Sequence, residues 1–148
     1  MKEKITVKFK RLPHNVDIPG YATAGAAGMD LTAAISKPIV FKPFERKLIP
    51  IGIIIELPQG YEAQIRPRSG LAIKHGMTLI NCVGTIDEDY RGEVCVPMVN
   101  LSQSSYTMHS GDRIAQMIIS PVQKAELIEV EALTETVRAS GGFGSTGQ

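Results

Sequence analysis

Fourteen glycines and nine prolines in 148 residues cut this chain into short pieces, and no long helix fits between them. Glycine weakens a helix through backbone entropy, and proline through its fixed φ and missing N–H. The pieces that remain have the two-residue period of strands. Ile5, Val7 and Phe9 alternate with Thr6 and Lys8. Residues 48–57 are rich in β-branched side chains and lie between Pro43 and Pro58. Segments 61–65, 78–83, 93–100 and 114–119 continue the series, each set off by turn residues. Many short strands at close spacing predict an all-β domain, a sandwich or distorted jelly roll. One short helix fits: Ser69 can cap it, residues 71–75 can form its turns, and Gly76 suits its end. No internal repeat is visible.

Composition narrows the function classes. The chain is the length of one domain. Its formal net charge is +1, so no bulk field marks it as a nucleic-acid or membrane-surface binder, and local donors must hold any anionic ligand. The longest apolar run, 51–55, is far short of the ~20 residues that span a bilayer. No apolar stretch near the start suits a signal peptide, so the expectation is a soluble, cytoplasmic protein. Cys82 and Cys95 lack a CxxC spacing and read as small buried hydrophobes in a reducing compartment. His14, His75 and His109 are scattered without ligand spacing, which gives them surface or turn roles.

Five segments carry candidate chemistry. RPRSGLA at 66–72 puts Arg68 and Ser69 at the start of the predicted helix, where unpaired N–H groups favour an anion; a plain N-cap beside a surface arginine is the alternative. NCVGTIDEDYRGE at 81–93 sets Asp87, Glu88 and Asp89 in a polar bend between apolar strands, and reads as a hairpin. Asp87 is either a general base on water or an Asx-turn acceptor. Tyr90 is either a ligand platform or a cross-strand aromatic. GAAGMDL at 25–31 reads as a turn, and GDRIAQM at 111–117 as a turn entering a strand, with Asp112 paired to Arg113. From Arg138 the chain becomes glycine-rich with a single aromatic, Phe143. That stretch cannot bury enough surface to order itself; it is either a frayed end or an arm that orders over a ligand.

Taken together and in order, AGAAGMDL (24–31), PRSGLA (67–72), GTIDEDYRGE (84–93), GDRIAQ (111–116) and RASGGFGSTG (138–147) resemble the five motifs of the trimeric dUTP pyrophosphatase (dUTPase) family. The resemblance spans nearly the whole chain. Two departures, Ala26 where many relatives have Ser and Met29 where many have Tyr, touch no position given a chemical role.

The resemblance implies a dUTPase-like jelly-roll fold with a core over 1–135 and a flexible arm over 136–148. It implies a homotrimer whose arms each close over a neighbouring subunit's site, and no nucleic-acid or membrane partner. The implied reaction is hydrolysis of dUTP to dUMP and diphosphate, which keeps uracil out of DNA and supplies dUMP for thymidylate synthesis. Asp87 is implied as the base that prepares water for in-line attack on the α-phosphorus. Mg²⁺ is implied as cofactor, chelated by the triphosphate without a direct protein ligand; Asp30 reaches the ion through water or supports the fold. Arg68, Ser69, Gly70 and Gln116 are implied phosphate contacts. Asn81, Gly84, Thr85, Ile86, Tyr90 and Cys95 are implied contacts to uracil and deoxyribose. Arg138, Phe143, Gly144, Ser145 and Thr146 are implied to close from the arm. Two rivals are a dCTP deaminase on the same scaffold and a non-catalytic relative; the first would need an acid/base group for the cytosine amine, and the second would be expected to lack Asp87 or the arm.

Overall fold

The computed structural model describes residues 4–142. Its elements run β1 (Lys8–Arg11), β2 (Gly20–Tyr21), β3 (Met29–Thr32), β4 (Ile39–Phe41), β5 (Arg46–Glu56), β6 (Tyr61–Pro67), α1 (Ser69–His75), β7 (Met77–Leu79), β8 (Gly84–Ile86), β9 (Glu93–Asn100), β10 (Tyr106–Met108) and β11 (Arg113–Pro121). All pairings between strands are antiparallel. One sheet has the order β1-β5-β9-β7, a second β2-β3-β11-β6-β8, and β4 pairs with β10. Among the described residues the result is a distorted jelly-roll-like all-β fold with one short helix, one of the two architectures that the punctuation left open.

Alternation along the strands builds the core. In β5, Ile49, Ile51, Ile53 and Ile55 all turn inward and are at most 2% exposed. They meet Val94, Val96 and Met98 of β9, Ala63 and Ile65 of β6, and Ile114 and Met117 of β11 in one apolar cluster. Each fully buried aliphatic side chain contributes roughly 1.5–3 kcal/mol, so this cluster holds the two larger sheets together. No helix among the described residues is long and apolar enough to cross a membrane.

Several local expectations are corrected. The first strand begins at Lys8, not Ile5, and Ile5 and Phe9 are exposed. Residues 78–83 are not one strand: β7 stops at Leu79, and β8 starts at Gly84 in the other sheet. For the same reason 81–95 is no paired hairpin, since β8 pairs with β6 while β9 pairs with β5 and β7. The helix begins as expected, but its N-cap is Arg68 in an extended conformation, with no side-chain cap bond; Ser69 is the first helical residue. At its other end Gly76 adopts φ 65° and donates its N–H to the Ala72 carbonyl. Both cysteines are free, but Cys82 is exposed and Cys95 only half-buried, so neither is the buried hydrophobe expected.

Candidate active site

The first part of the site is assembled by β11, which lies between β3 and β6 and sets Gln116 opposite Asp30 on one side and Arg66 on the other. This brings Asp30, Arg68, Arg113 and Gln116 together from distant parts of the chain. Asp30 Oδ1 lies 3.0 Å from Arg68 Nε, and Asp30 Oδ2 lies 3.2 Å from Arg113 Nη1. Arg68 Nη1 also donates to the Arg113 carbonyl at 3.2 Å. Arg113 is therefore paired with Asp30 and not with Asp112, whose carboxylate instead accepts the His109 N–H at 2.7 Å. Two guanidiniums face one carboxylate, which leaves one positive charge and several N–H donors free.

Gln116 Nε2 donates to the Pro67 carbonyl at 3.0 Å, tying the β11 side chain to the end of β6, just before the helix. Gly28 makes room for this: a Cβ there would stand 2.7 Å from Gln116 Oε1. Around these groups opens a cavity of about 340 Å³ that Ser69 and Gly70 also line. The first-turn N–H groups of a helix have no intrahelical partner, so Ser69 and Gly70 bring donors to a cavity that already carries a net positive charge. Such a donor set has the chemistry to hold an anion.

The second part lies where β8 and β9 diverge. Strand β8 is the edge of its sheet, and among the described residues no ladder joins it to β9. Between them is a cavity of about 320 Å³ whose walls include Asn81, Thr85, Ile86, Asp87, Tyr90 and Cys95. Unpaired strand edges present N–H and C=O groups at fixed spacing, which suits a planar ligand with both donors and acceptors. Asn81 lies across Gly84, where a Cβ would be 3.3 Å from its Nδ2. The Tyr90 ring rests on Gly92; a Cβ at Gly92 would sit 2.4 Å from Tyr90 Cζ. Burial, helped by the negative charge of Glu93, pushes the Cys95 thiol up, so it stays neutral and is a wall rather than a nucleophile.

Asp87 lines this cavity. The turn after it is closed by the main chain, with Tyr90 N–H donating to the Asp87 carbonyl at 3.2 Å. Asp87 also lines an adjoining cavity with Glu62, Glu88, Asp89 and Lys124. Neighbouring Glu88 accepts the Gly60 N–H at 2.6 Å, which ties the bend to the turn between β5 and β6. The exposed Asp87 carboxylate is accessible to water.

The two cavities share no lining residue. The chain's last strand ends at Pro121, and Arg138 is exposed, with its Nε donating to the Gly141 carbonyl at 2.8 Å. Phe143, Gly144, Ser145 and Thr146 lie outside the described residues.

Comparison with known proteins decides the family. A family model described as dUTPase matches residues 14–147. The chain belongs to the dUTPase family. It is 58% identical over 147 residues to the deoxyuridine 5'-triphosphate nucleotidohydrolase of Finegoldia magna, covering 99% of both chains. It is 57% identical to the enzyme of the same name from Cytophaga hutchinsonii, over 97% of this chain and 92% of that one. Among solved structures, a Staphylococcus bacteriophage 80alpha dUTPase with dUPNHPP superposes with a TM-score of 0.87 at 26% identity, covering 97% and 99% of the two chains.

Within this dUTPase, four participants had no site role from sequence alone: Gly28, Gly92, Glu93 and Arg113. All four fall inside the matched motifs. The two glycines carried a legible signal, because a close approach needs a residue without Cβ. The partner of Arg113 did not, since Asp30 lies 83 positions away.

Proposed function

We propose that this enzyme, a dUTP diphosphatase, hydrolyses dUTP by in-line attack of water on the α-phosphorus, with Asp87 as general base. The single observation that carries the reading is Asp87, an exposed carboxylate lining a cavity of about 320 Å³, with its turn already closed by backbone. A carboxylate there orients water and accepts its proton as the P–O bond forms. The electron pair of the breaking P–O bond leaves with the diphosphate.

Asn81 and the open edges of β8 and β9, at Gly84, Thr85, Ile86 and Cys95, read uracil by its donor and acceptor pattern. The narrow cavity rejects the thymine methyl. Tyr90 packs beneath the sugar and leaves no room for a 2'-hydroxyl. Arg68, Ser69, Gly70 and Gln116 grip the phosphate chain. Residues 136–148 close over the site, with Arg138, Ser145 and Thr146 on the γ-phosphate, Gly144 approaching closely, and Phe143 stacked on uracil, a contact worth ~1–3 kcal/mol by analogy with other base–aromatic pairs.

The separation of the base cavity from the anion seat supports a homotrimer in which neighbouring chains join the two. A 1–135 core with a 136–148 arm follows from the same reading. Both oxygens of Asp30 are engaged by Arg68 and Arg113, so this carboxylate supports the cationic seat and leaves the metal to the substrate. The donor set of that seat, cations and amides, fits Mg²⁺ carried by the triphosphate. When bound, the ion supplies neutralisation of phosphate charge. Free cysteines agree with a cytoplasmic setting, where the reaction limits dUTP and supplies dUMP for thymidylate synthesis.

Diphosphate release from dUTP, dTTP, dCTP and UTP, with and without Mg²⁺, tests the reading. The expected result is turnover of dUTP at least ~10²-fold above the others, since each ~1.4 kcal/mol of lost contact is tenfold. Ammonia release from dCTP without dUTP hydrolysis would contradict it.

A further inference from the structure

Strand β5 bulges against β9. Pro50 pairs with Cys95 and Ile54 with Glu93, so four steps along β5 match two along β9. Gly52 lies in the bulge with φ 76°, and its N–H would have no ladder partner. The Glu93 carboxylate supplies one: Gly52 N donates to Glu93 Oε1 at 2.9 Å. The same oxygen lies 2.6 Å from His14 Nε2. The loop carrying His14 is pinned to the bulge as well, with Leu12 N–H donating to the Gly52 carbonyl at 2.9 Å and Asn15 Nδ2 to the Ile51 carbonyl at 3.0 Å.

The other end of Glu93 faces the ligand cavity. Its backbone carbonyl accepts Tyr90 Oη at 3.1 Å, while the Tyr90 ring leans on Gly92. The position of the Tyr90 hydroxyl thus depends on where the Glu93 backbone is held, and at this end of β9, beyond the bulge, the side-chain anchor at Gly52 and His14 adds to the pairing with Ile54. We propose that Glu93, clamped by the Gly52 N–H and by His14, is a positioning residue that keeps Tyr90 against the cavity and so sets the discrimination between deoxyribo- and ribonucleotides. The inference rests on the proposed place of Tyr90 beneath the sugar. Removing the clamp leaves Glu93 held only by its strand pairing at the bulge, lets its carbonyl and the ring shift, and opens space for a 2'-hydroxyl.

The test compares kcat/KM for dUTP and UTP in the full chain. Glu93→Ala is expected to lower the dUTP/UTP ratio by about tenfold, the effect of losing a hydrogen bond to a charged group. Glu93→Gln keeps an oxygen for the Gly52 N–H and is expected to restore most of the ratio. General destabilisation would lower both activities alike and leave the ratio unchanged. If Glu93→Ala does not fold, the exposed His14 supplies the test: His14→Ala should lower the ratio about two- to fivefold in the wild-type background but not beside Tyr90→Phe, which already lacks the hydroxyl link. A wild type that hydrolyses UTP as fast as dUTP overturns the reading of Tyr90 itself. A discriminating wild type whose ratio survives Glu93→Ala, or survives His14→Ala where the first variant does not fold, overturns this inference alone. Equal effects of His14→Ala in both backgrounds also overturn it.

Discussion

Asp87→Asn leaves the nucleotide bound but nearly unhydrolysed. Asparagine fills the same volume, so KM for dUTP should stay within a few-fold of wild type. The amide cannot accept the water's proton, and a positioned general base is worth about 10²–10⁴ in rate. At ~1.36 kcal/mol per tenfold, kcat should fall by about 3–5 kcal/mol of barrier. The turn itself should survive, because its closing bond uses the Asp87 carbonyl and not the side chain. Steady-state kinetics with a thermal melt separate these effects: an unchanged melt with a collapsed kcat is expected. Near-normal turnover would remove Asp87 from the mechanism.

Ending the chain at Val137 should give a folded protein with little activity. Arg138 is exposed, and among the described residues none after Ile119 packs in or against the core, so the melting temperature should move by less than ~2 °C, as for other surface changes. The loss to turnover combines a charge-assisted contact of ~1.5–3 kcal/mol with a stacking contact of ~1–3 kcal/mol, or roughly 10²–10⁴ in kcat/KM. If sites are shared between subunits, mixing this truncated chain with Asp87→Asn under subunit exchange should recover activity. Recovery arises where an intact arm from one variant closes over an intact Asp87 from the other. A fully active truncated chain would contradict the role of the arm, and no recovery despite proven exchange would contradict shared sites.

The fold class was legible because glycine, proline and alternating β-branched residues act locally. The helix was legible for the same reason: Gly76 needs its positive φ wherever the helix ends. What failed were features decided between distant segments. Residues 78–83 are apolar enough for one strand, but alternation carries no signal for a chain that leaves one sheet at Leu79 and joins another at Gly84. The sequence puts Asp112 beside Arg113, yet β11 carries Arg113 to Asp30 on a neighbouring strand. Exposure of Cys82 likewise follows from the break between β7 and β8. The motif residues, and their division between phosphate and nucleoside contacts, were legible through resemblance, while the pairing of Arg68 and Arg113 on Asp30 was visible only in three dimensions.

Hydrolysis of dUTP in ¹⁸O-labelled water reports directly on which phosphorus the solvent attacks. If water primed by Asp87 attacks the α-phosphorus, mass spectrometry will find one labelled oxygen in dUMP and none in the diphosphate. Label in the diphosphate with unlabelled dUMP would contradict α-attack and, with it, the placement of Asp87 at the reacting centre.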